Sequence, residues 1–427
     1  MSYFKPISIS LSPNTEKDDI ILSLKLIFSP LKWIDGEAIS ELENQFKNYF
    51  NVNYAFSFNS GRSSFLAILK SLELEQGTEI LIQAYTCNAV VNPILWAGFK
   101  PVYVDCDEND FNIDINDLEK KINAKTKVLV VQHTFGMPAN IDKILEICQK
   151  NNLILIEDCA HCLGAEYKGK KVGLFGDVSF FSLSRDKIIS SIYGGLVITN
   201  NKKIADNLKK YYNNLSFPSF WWVFQQLLHP IIINWIILPI YNFINLGKIF
   251  LVFVQSVNIL SKAIHNKEKK GEKPSYFPKR MPNALALLAL NQFKKLERFN
   301  NHRDNLAKFY YNRLKDLKIF TLPLKFPERK NIFLRFTIKS KMAHQIIFDA
   351  WHKNNILLGD WYTAPIAPDD TNLEKMGYSL GICSNAEKLA NTTFNLPTHI
   401  NISLKDAERI VNFLKKYSNQ NGDKRNR

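Results

Sequence analysis

Three short stretches of the 427-residue sequence carry side chains whose types and spacing could do chemistry. In FNSGRSSFLAILKSL, residues 58–72, Gly61, Arg62 and Ser63 open an amphipathic helix. Free N–H groups, hydroxyls, a guanidinium and the positive helix end converge there as a phosphate cup, although an ordinary Ser/Gly cap uses the same residues. In IEDCAHCLGA, residues 156–165, Glu157 and Asp158 close the apolar strand LILI. Asp158 therefore falls at the carboxyl end of a strand, where open α/β sheets bind ligands. His161 follows it and could equally be a satisfied core histidine. In FSLSRDKIISSIYGGLVIT, residues 181–199, Ser182 and Ser184 precede Lys187 and then Gly194-Gly195, which sets one amine in a tight, buried turn. A desolvated lysine loses its proton readily and becomes a nucleophile or Schiff-base former.

Cys159 and Cys162 form a C-x-x-C, but no second pair follows at zinc-ribbon spacing and the setting is not thioredoxin-like, so no metal is expected. A phosphate cup, then an Asp at a strand end, then a Lys 29 residues later suits pyridoxal 5'-phosphate. That cofactor needs an anion site, a carboxylate to keep its ring nitrogen protonated, and an amine to hold its aldehyde carbon.

Short runs rich in β-branched residues must position these groups. KVLVVQH (127–133), LILIED (153–158), VSFFSLS (178–184) and GLVITN (195–200) read as buried strands. AISELENQFKNYF reads as an amphipathic helix with Ile39, Leu42, Phe46 and Tyr49 on one face. Strands alternating with helices predict an α/β fold with a mostly parallel sheet over 1–215. A long helical pattern from Asn283 to Leu314 predicts a linking helix into a smaller C-terminal α+β domain, within 274–427. A last helix opens at Ser403 with Asp406 three residues on, and turns Ile410, Val411 and Leu414 inward.

These motifs resemble the DegT/DnrJ/StrS-type sugar aminotransferase family, fold-type-I enzymes that use pyridoxal phosphate. The matching stretches are WIDGEAISELENQF, FSFNSGRSSFLAIL, GFKPVYVDCD, HTFGMPANID, the 156–199 block, KRMPNALALLALNQFKKLE with the later Arg303, and NLPTHINISLKDAERI. The resemblance implies that Lys187 binds the cofactor and shuttles a proton, Asp158 pairs with its ring nitrogen, and His161 lies beside the ring. It implies that Ser182 with Gly61, Arg62 and Ser63 holds the phosphate. It also implies an amino donor such as glutamate, a nucleotide-linked keto-sugar acceptor and a homodimer. Lys187 favours transamination over the family's dehydratase branch, which carries His there. Where relatives stack an aromatic ring on the cofactor this chain has Cys87, which leaves Tyr85 as a nearby cover; Pro278 replaces an Asn that reaches the partner's phosphate site.

Residues 216–273 have no counterpart in the family pattern. From Phe220 to Leu260 the only charged side chain is Lys248, and Trp221–Gly247 is long enough to cross a bilayer. Pro230 and Pro239 should interrupt a helix there. Both flanks join one catalytic domain, so an in-plane helix, a re-entrant loop or a two-span hairpin is expected rather than a single span. Basic flanks, Lys209 and Lys210 before and Lys262 to Arg280 after, suit anionic headgroups. A helical hairpin buried between two subunits is the plainer alternative.

Lys plus Arg at 55 against Asp plus Glu at 40 gives a net charge of +15, which favours anionic partners. Nucleic acid is not expected, because no zinc-finger, RNP or helix-turn-helix signature accompanies the lysines. Six scattered cysteines and the lack of an apolar leader point to the cytoplasm, at the inner face of its membrane if the insertion meets lipid. Two rival readings share these residues: a pyridoxal-phosphate enzyme acting on a non-sugar ketone, and a membrane-associated scaffold that has lost turnover.

Overall fold

The computed structural model describes residues 5–422. Its centre is a seven-stranded sheet built from β1 (Tyr54–Phe58), β2 (Glu79–Gln83), β3 (Lys100–Val104), β4 (Thr126–Gln132), β5 (Ile154–Asp158), β6 (Val178–Ser182) and β7 (Gly195–Thr199). The spatial order is β1-β7-β6-β5-β4-β2-β3. All neighbours run parallel except β7, which is antiparallel to both β6 and β1. Each apolar run picked out in the sequence forms one of these strands. Ile80, Leu81, Val128, Leu129, Val130 and Ile156 are buried on one face or the other, so helices cover both sides of the sheet.

Helix α1 (Glu37–Phe50) buries Ile39, Leu42 and Phe46 and leaves Tyr49 half-buried, ending at Asn51 in the left-handed region. Helix α2 (Gly61–Ser71) begins directly after β1, capped by the Ser60 hydroxyl accepting from the Ser63 N–H at 3.0 Å.

Residues 220–260 form a helical hairpin. Its first arm starts as α3 (Phe220–Ile231) and continues through a π turn at Ile232–Ile237 and a 3-10 turn at Leu238–Ile240. Pro230 lies inside α3 without ending it, whereas the stretch leading into and through Pro239 leaves α geometry for the π and 3-10 turns. The second arm is α4 (Leu246–Ser256). The arms touch at Gly247, where a Cβ would lie 2.6 Å from the Ile237 carbonyl oxygen, so only glycine admits this approach. Ile233, Ile237, Tyr241 and Val254 form a small core of their own beside Trp351.

The predicted linking helix is two helices, α5 (Asn283–Phe293) and α6 (Leu296–Leu314). Neither Gly nor Pro marks the break. The two helices serve different cores, which requires two axes: Ala284, Leu285 and Ala289 pack with α1 in the large domain, while Leu306, Tyr310 and Leu314 pack in the small one. There an antiparallel pair, β8 (Phe336–Lys339) and β9 (Thr393–Leu396), meets α7 (Leu404–Gly422), whose Ile410, Val411 and Leu414 are fully buried. Ser403 opens α7 with the expected box: its N–H donates to the Asp406 carboxylate and its hydroxyl accepts from the Asp406 N–H, both at 3.1 Å.

Candidate active site

The carboxyl ends of β5 and β6 and the start of α2 converge on one pocket. Gly61, Arg62, Cys87, Asp158, His161, Ser182 and Lys187 line it, joined by Trp361 and Tyr362 from the small domain.

Alternation along β5 separates the two adjacent carboxylates. Asp158 turns into the pocket, where its Oδ1 accepts the Ala160 N–H at 2.9 Å. Burial raises its pKa, against the pull of that N–H and of the Lys187 and His133 charges. Glu157 points the other way and accepts N–H groups of Gly173, Phe175 and Gly176 at 2.7–2.8 Å. Burial works to raise its pKa, but His133 at 3.3 Å and those N–H groups outweigh it and hold the carboxyl below its ordinary value. Glu157 is a structural anchor of the loop at 173–176.

Lys187 lies in the turn between β6 and β7, with its N–H bonded to the Ser184 carbonyl at 3.1 Å. Burial lowers its amine to about 8, opposed by the Asp158 charge. The ammonium stands 4.9 Å from the centre of the Trp361 ring, which the Arg335 guanidinium also approaches, at 3.5 Å. His161 stacks on Trp361 at 5.4 Å and 19°, and burial keeps the imidazole neutral by pushing its pKa well down.

At the phosphate-cup end, Gly61 and the last residue of β6 close on each other. A Cβ at position 61 would sit 2.9 Å from the Ser182 Cβ. The first N–H groups of α2 and the hydroxyls of Ser182 and Ser184, 3.1 Å apart, therefore share one concave corner. A buried amine, a buried carboxylate and an anion corner in one pocket match the donor set that pyridoxal phosphate requires.

Three sequence-derived positions have their side chains engaged otherwise than that role needs. The Ser63 hydroxyl is fully buried and donates to Asn59 Oδ1 at 2.6 Å, so it supports the turn from behind the pocket. Tyr85 also stands behind the wall, its hydroxyl bonded to Thr393 and its ring edge-on to Tyr362 at 5.5 Å. Arg62 is already engaged. Its Nε meets Glu268 at 3.0 Å, its Nη2 donates to the Ala263 carbonyl at 2.9 Å, and its plane lies over Phe277. Cys87 is on the wall, at the start of the helix Asn88–Ala97, with its thiol pushed up by burial.

The sequence reading missed Trp361 and Tyr362. The WY pair shortly after the two-residue strand Ile356–Leu357 was its only signal, and nothing local marks it as pocket-facing. His133, Cys159 and Cys162 form a buried group with ligand atoms within 4.8 Å of one another. Both ring nitrogens of His133 are engaged, by the Ala139 N–H and by Glu157, and burial pushes the Cys159 thiol far up.

GDP-perosamine synthase of Escherichia coli O157:H7 is 38% identical over 176 residues, 41% of this chain and 48% of that protein. A UDP-N-acetyl-3-dehydro-alpha-D-glucosamine 3-aminotransferase of Acidithiobacillus ferrooxidans is 29% identical over 205 residues, 48% of this chain and 56% of that protein. The chain thus spans about half the length of the curated relatives it matches. Among solved structures, Helicobacter pylori PseC, an aminotransferase involved in the biosynthesis of pseudoaminic acid, superposes with a TM-score of 0.74 at 23% identity. That superposition covers 97% of this chain and 100% of PseC, so the fold is shared throughout. With the family profile matched over residues 14–218 and 257–415, on both sides of the hairpin, the chain belongs to the DegT/DnrJ/EryC1/StrS aminotransferase family.

Proposed function

We propose that this chain is a pyridoxal-phosphate-dependent aminotransferase that moves an amino group, from glutamate, onto the keto carbon of a nucleotide-linked sugar for glycan or amino-sugar biosynthesis. The observation that carries the reading is Lys187, a pocket amine lowered to about 8, within the field of Asp158 and close to the Gly61–Ser182 corner. Relatives named for GDP-, UDP- and dTDP-linked amino sugars support the acceptor class.

When bound, pyridoxal phosphate supplies an electron sink for the carbon that loses or gains the amine. Gly61 and Ser182 would hold its phosphate, and Asp158 would keep a proton on its ring nitrogen. Neutral His161 flanks the ring without adding charge. Lys187 Nζ, poised near neutrality, would shuttle a proton between the substrate carbon and the cofactor carbon, off the donor carbon in the first half-reaction and onto the acceptor carbon in the second. Trp361 and Tyr362 line the site beside Lys187 and His161. The donor departs as its 2-keto acid, taking its keto oxygen from one water, and the acceptor's carbonyl oxygen departs as water in the second half-reaction.

The test is the absorption spectrum of purified protein. The expected result is a yellow band that bleaches with glutamate and is missing in Lys187→Ala. A colourless wild-type protein overturns the reading and favours the scaffold.

The hairpin carries a second part of the proposal: contact with an anionic lipid surface on the cytoplasmic side. The arm Phe220–Ile240 is long and apolar enough to cross a membrane, but 56% of its apolar window is buried in the protein, which favours lying on a surface. Trp221 and Trp235 on the first arm, Ile244 in the turn, and Ile249, Val252 and Phe253 on the second arm are all exposed. Exposed Lys262, Lys267, Lys270 and Lys273 follow as a basic rim. Aromatic and aliphatic tips beside lysines are what an interfacial element requires. Flotation with phosphatidylglycerol vesicles tests this. Full-length protein that stays wholly soluble sinks the idea, and protein that dimerises through the same face instead assigns it to a subunit interface.

A further inference from the structure

The chain leaving the hairpin returns to the pocket. Between Leu260 and Gly271 its only regular element is the 3-10 turn Glu268–Lys270, yet it is fastened at both ends. Near its start, Arg185 Nη1 donates to the Ser261 carbonyl at 2.8 Å and the Tyr193 hydroxyl to the Lys262 carbonyl at 2.6 Å. Arg62 Nη2 then donates to the Ala263 carbonyl. At the far end Asn92 donates to the Glu268 carbonyl at 3.0 Å, and Trp96 Nε1 to the Gly271 carbonyl at 2.9 Å.

Almost all of these bonds end on main-chain carbonyls. The side chains of Ala263 and Ile264 take no part in fastening the strap, and both residues line the pocket. The wall's position is thus set by its backbone and its surface by two side chains. Changing those side chains reshapes the pocket without unfastening the wall.

Two side chains take part as well: the Ser261 hydroxyl, which accepts from Arg185 and donates to Gln226 Oε1 at 2.8 Å, and Glu268. Fully buried, Glu268 accepts the His265 N–H at 2.8 Å and pairs with Arg62, which directly follows the Gly61 corner. Burial alone would lower the guanidinium's pKa; the Glu268 carboxylate reverses that and raises it. Arg62 is therefore a clasp between the phosphate-cup turn and the strap.

We propose that residues 261–268 close the pocket in cis, that Ala263 and Ile264 determine which acceptor fits, and that Glu268 is the positioning residue acting through Arg62. The specificity part rests on the aminotransferase reading above; the clasp does not.

The test uses the full-length protein loaded with pyridoxal phosphate. Ile264→Trp and Ile264→Ala are compared in the donor half-reaction, read as bleaching by glutamate, and in the acceptor half-reaction, read as return of the band with GDP-, UDP- and dTDP-linked 4-keto sugars. The expected result is an acceptor KM changed about tenfold more than the bleaching rate. Equal effects on both half-reactions overturn the specificity role. Separately, trypsin should cut Glu268→Gln after Lys262 and Lys267 about tenfold faster than wild type, with Glu268→Asp restoring protection. Wild-type cleavage of Glu268→Gln overturns the clasp. Wild-type protein that bleaches but accepts none of these sugars overturns the acceptor class instead, and the protease arm still decides the clasp.

Discussion

Lys187 and Asp158 are each buried at some electrostatic cost, and each lessens the cost of the other. The folded chain releases the Lys187 proton near 8, whereas an unfolded chain holds it to the ordinary lysine value of 10.5. Across that window the unfolded state binds more protons, so the stability of cofactor-free protein should rise with pH, by up to roughly 3 kcal/mol. Lys187→Met should flatten this slope, which melting curves from about pH 8 upward would reveal. Asp158→Asn should keep the yellow band but slow bleaching by glutamate about a hundredfold or more, since the ring nitrogen loses its charged partner. An unchanged rate would remove Asp158 from the chemistry. Both residues were legible in the sequence, because a carboxylate closing an apolar run and a lysine between a strand and a Gly-Gly are local patterns. That Arg62 is a clasp and Tyr85 a backing ring was not, because Glu268 and Thr393 reach them only through the fold; Ser63 bonds Asn59 just four residues back, but its burial is set by the fold.

At the level of elements, the start of α2 and the end of β6 must meet for the anion corner to exist. Gly61→Val places a side chain against Ser182, and should weaken binding of pyridoxal phosphate by tenfold or more, or about 1.4 kcal/mol, as measured by equilibrium dialysis. Helix α6 reaches the same region through Arg303. This fully buried guanidinium donates to the Ile188 carbonyl at 2.9 Å and to Asn14 at 2.8 Å, while Asn14 in turn donates to the Lys187 carbonyl. Arg303→Ala leaves a cavity and unpaired carbonyls beside the lysine turn. A loss of roughly 3 kcal/mol in urea unfolding is expected. The strands were legible because both faces of the sheet are covered, which makes each central strand an unbroken apolar run. The break at Lys294 and Lys295 was not, because it answers to two separate cores and no residue there is a helix breaker.

For the molecule as a whole, the +15 charge is distributed unevenly, with lysines crowding the exit of an apolar hairpin. If that rim meets anionic lipid, replacing Lys270 and Lys273 by Gln should weaken vesicle binding by roughly 1 kcal/mol each at low salt, and by much less at high salt. Trp235→Ser with Phe253→Ser should weaken it at every salt concentration, because apolar burial is not screened. A vesicle titration over a salt series separates the two contributions, and identical salt slopes for both variants would argue against the rim.

By itself the sequence determined the sheet, the order of phosphate cup, carboxylate and amine, and the family, because each is written in neighbouring residues or in a run's periodicity. Only the tertiary structure decided what engages Arg62, that Trp361 and Tyr362 line the site, and that the exit of the hairpin forms one of its walls. Those are meetings between residues up to about three hundred positions apart along the chain. Local pattern carries no record of them, since burial and charge pairing are properties of the folded surface rather than of the segment.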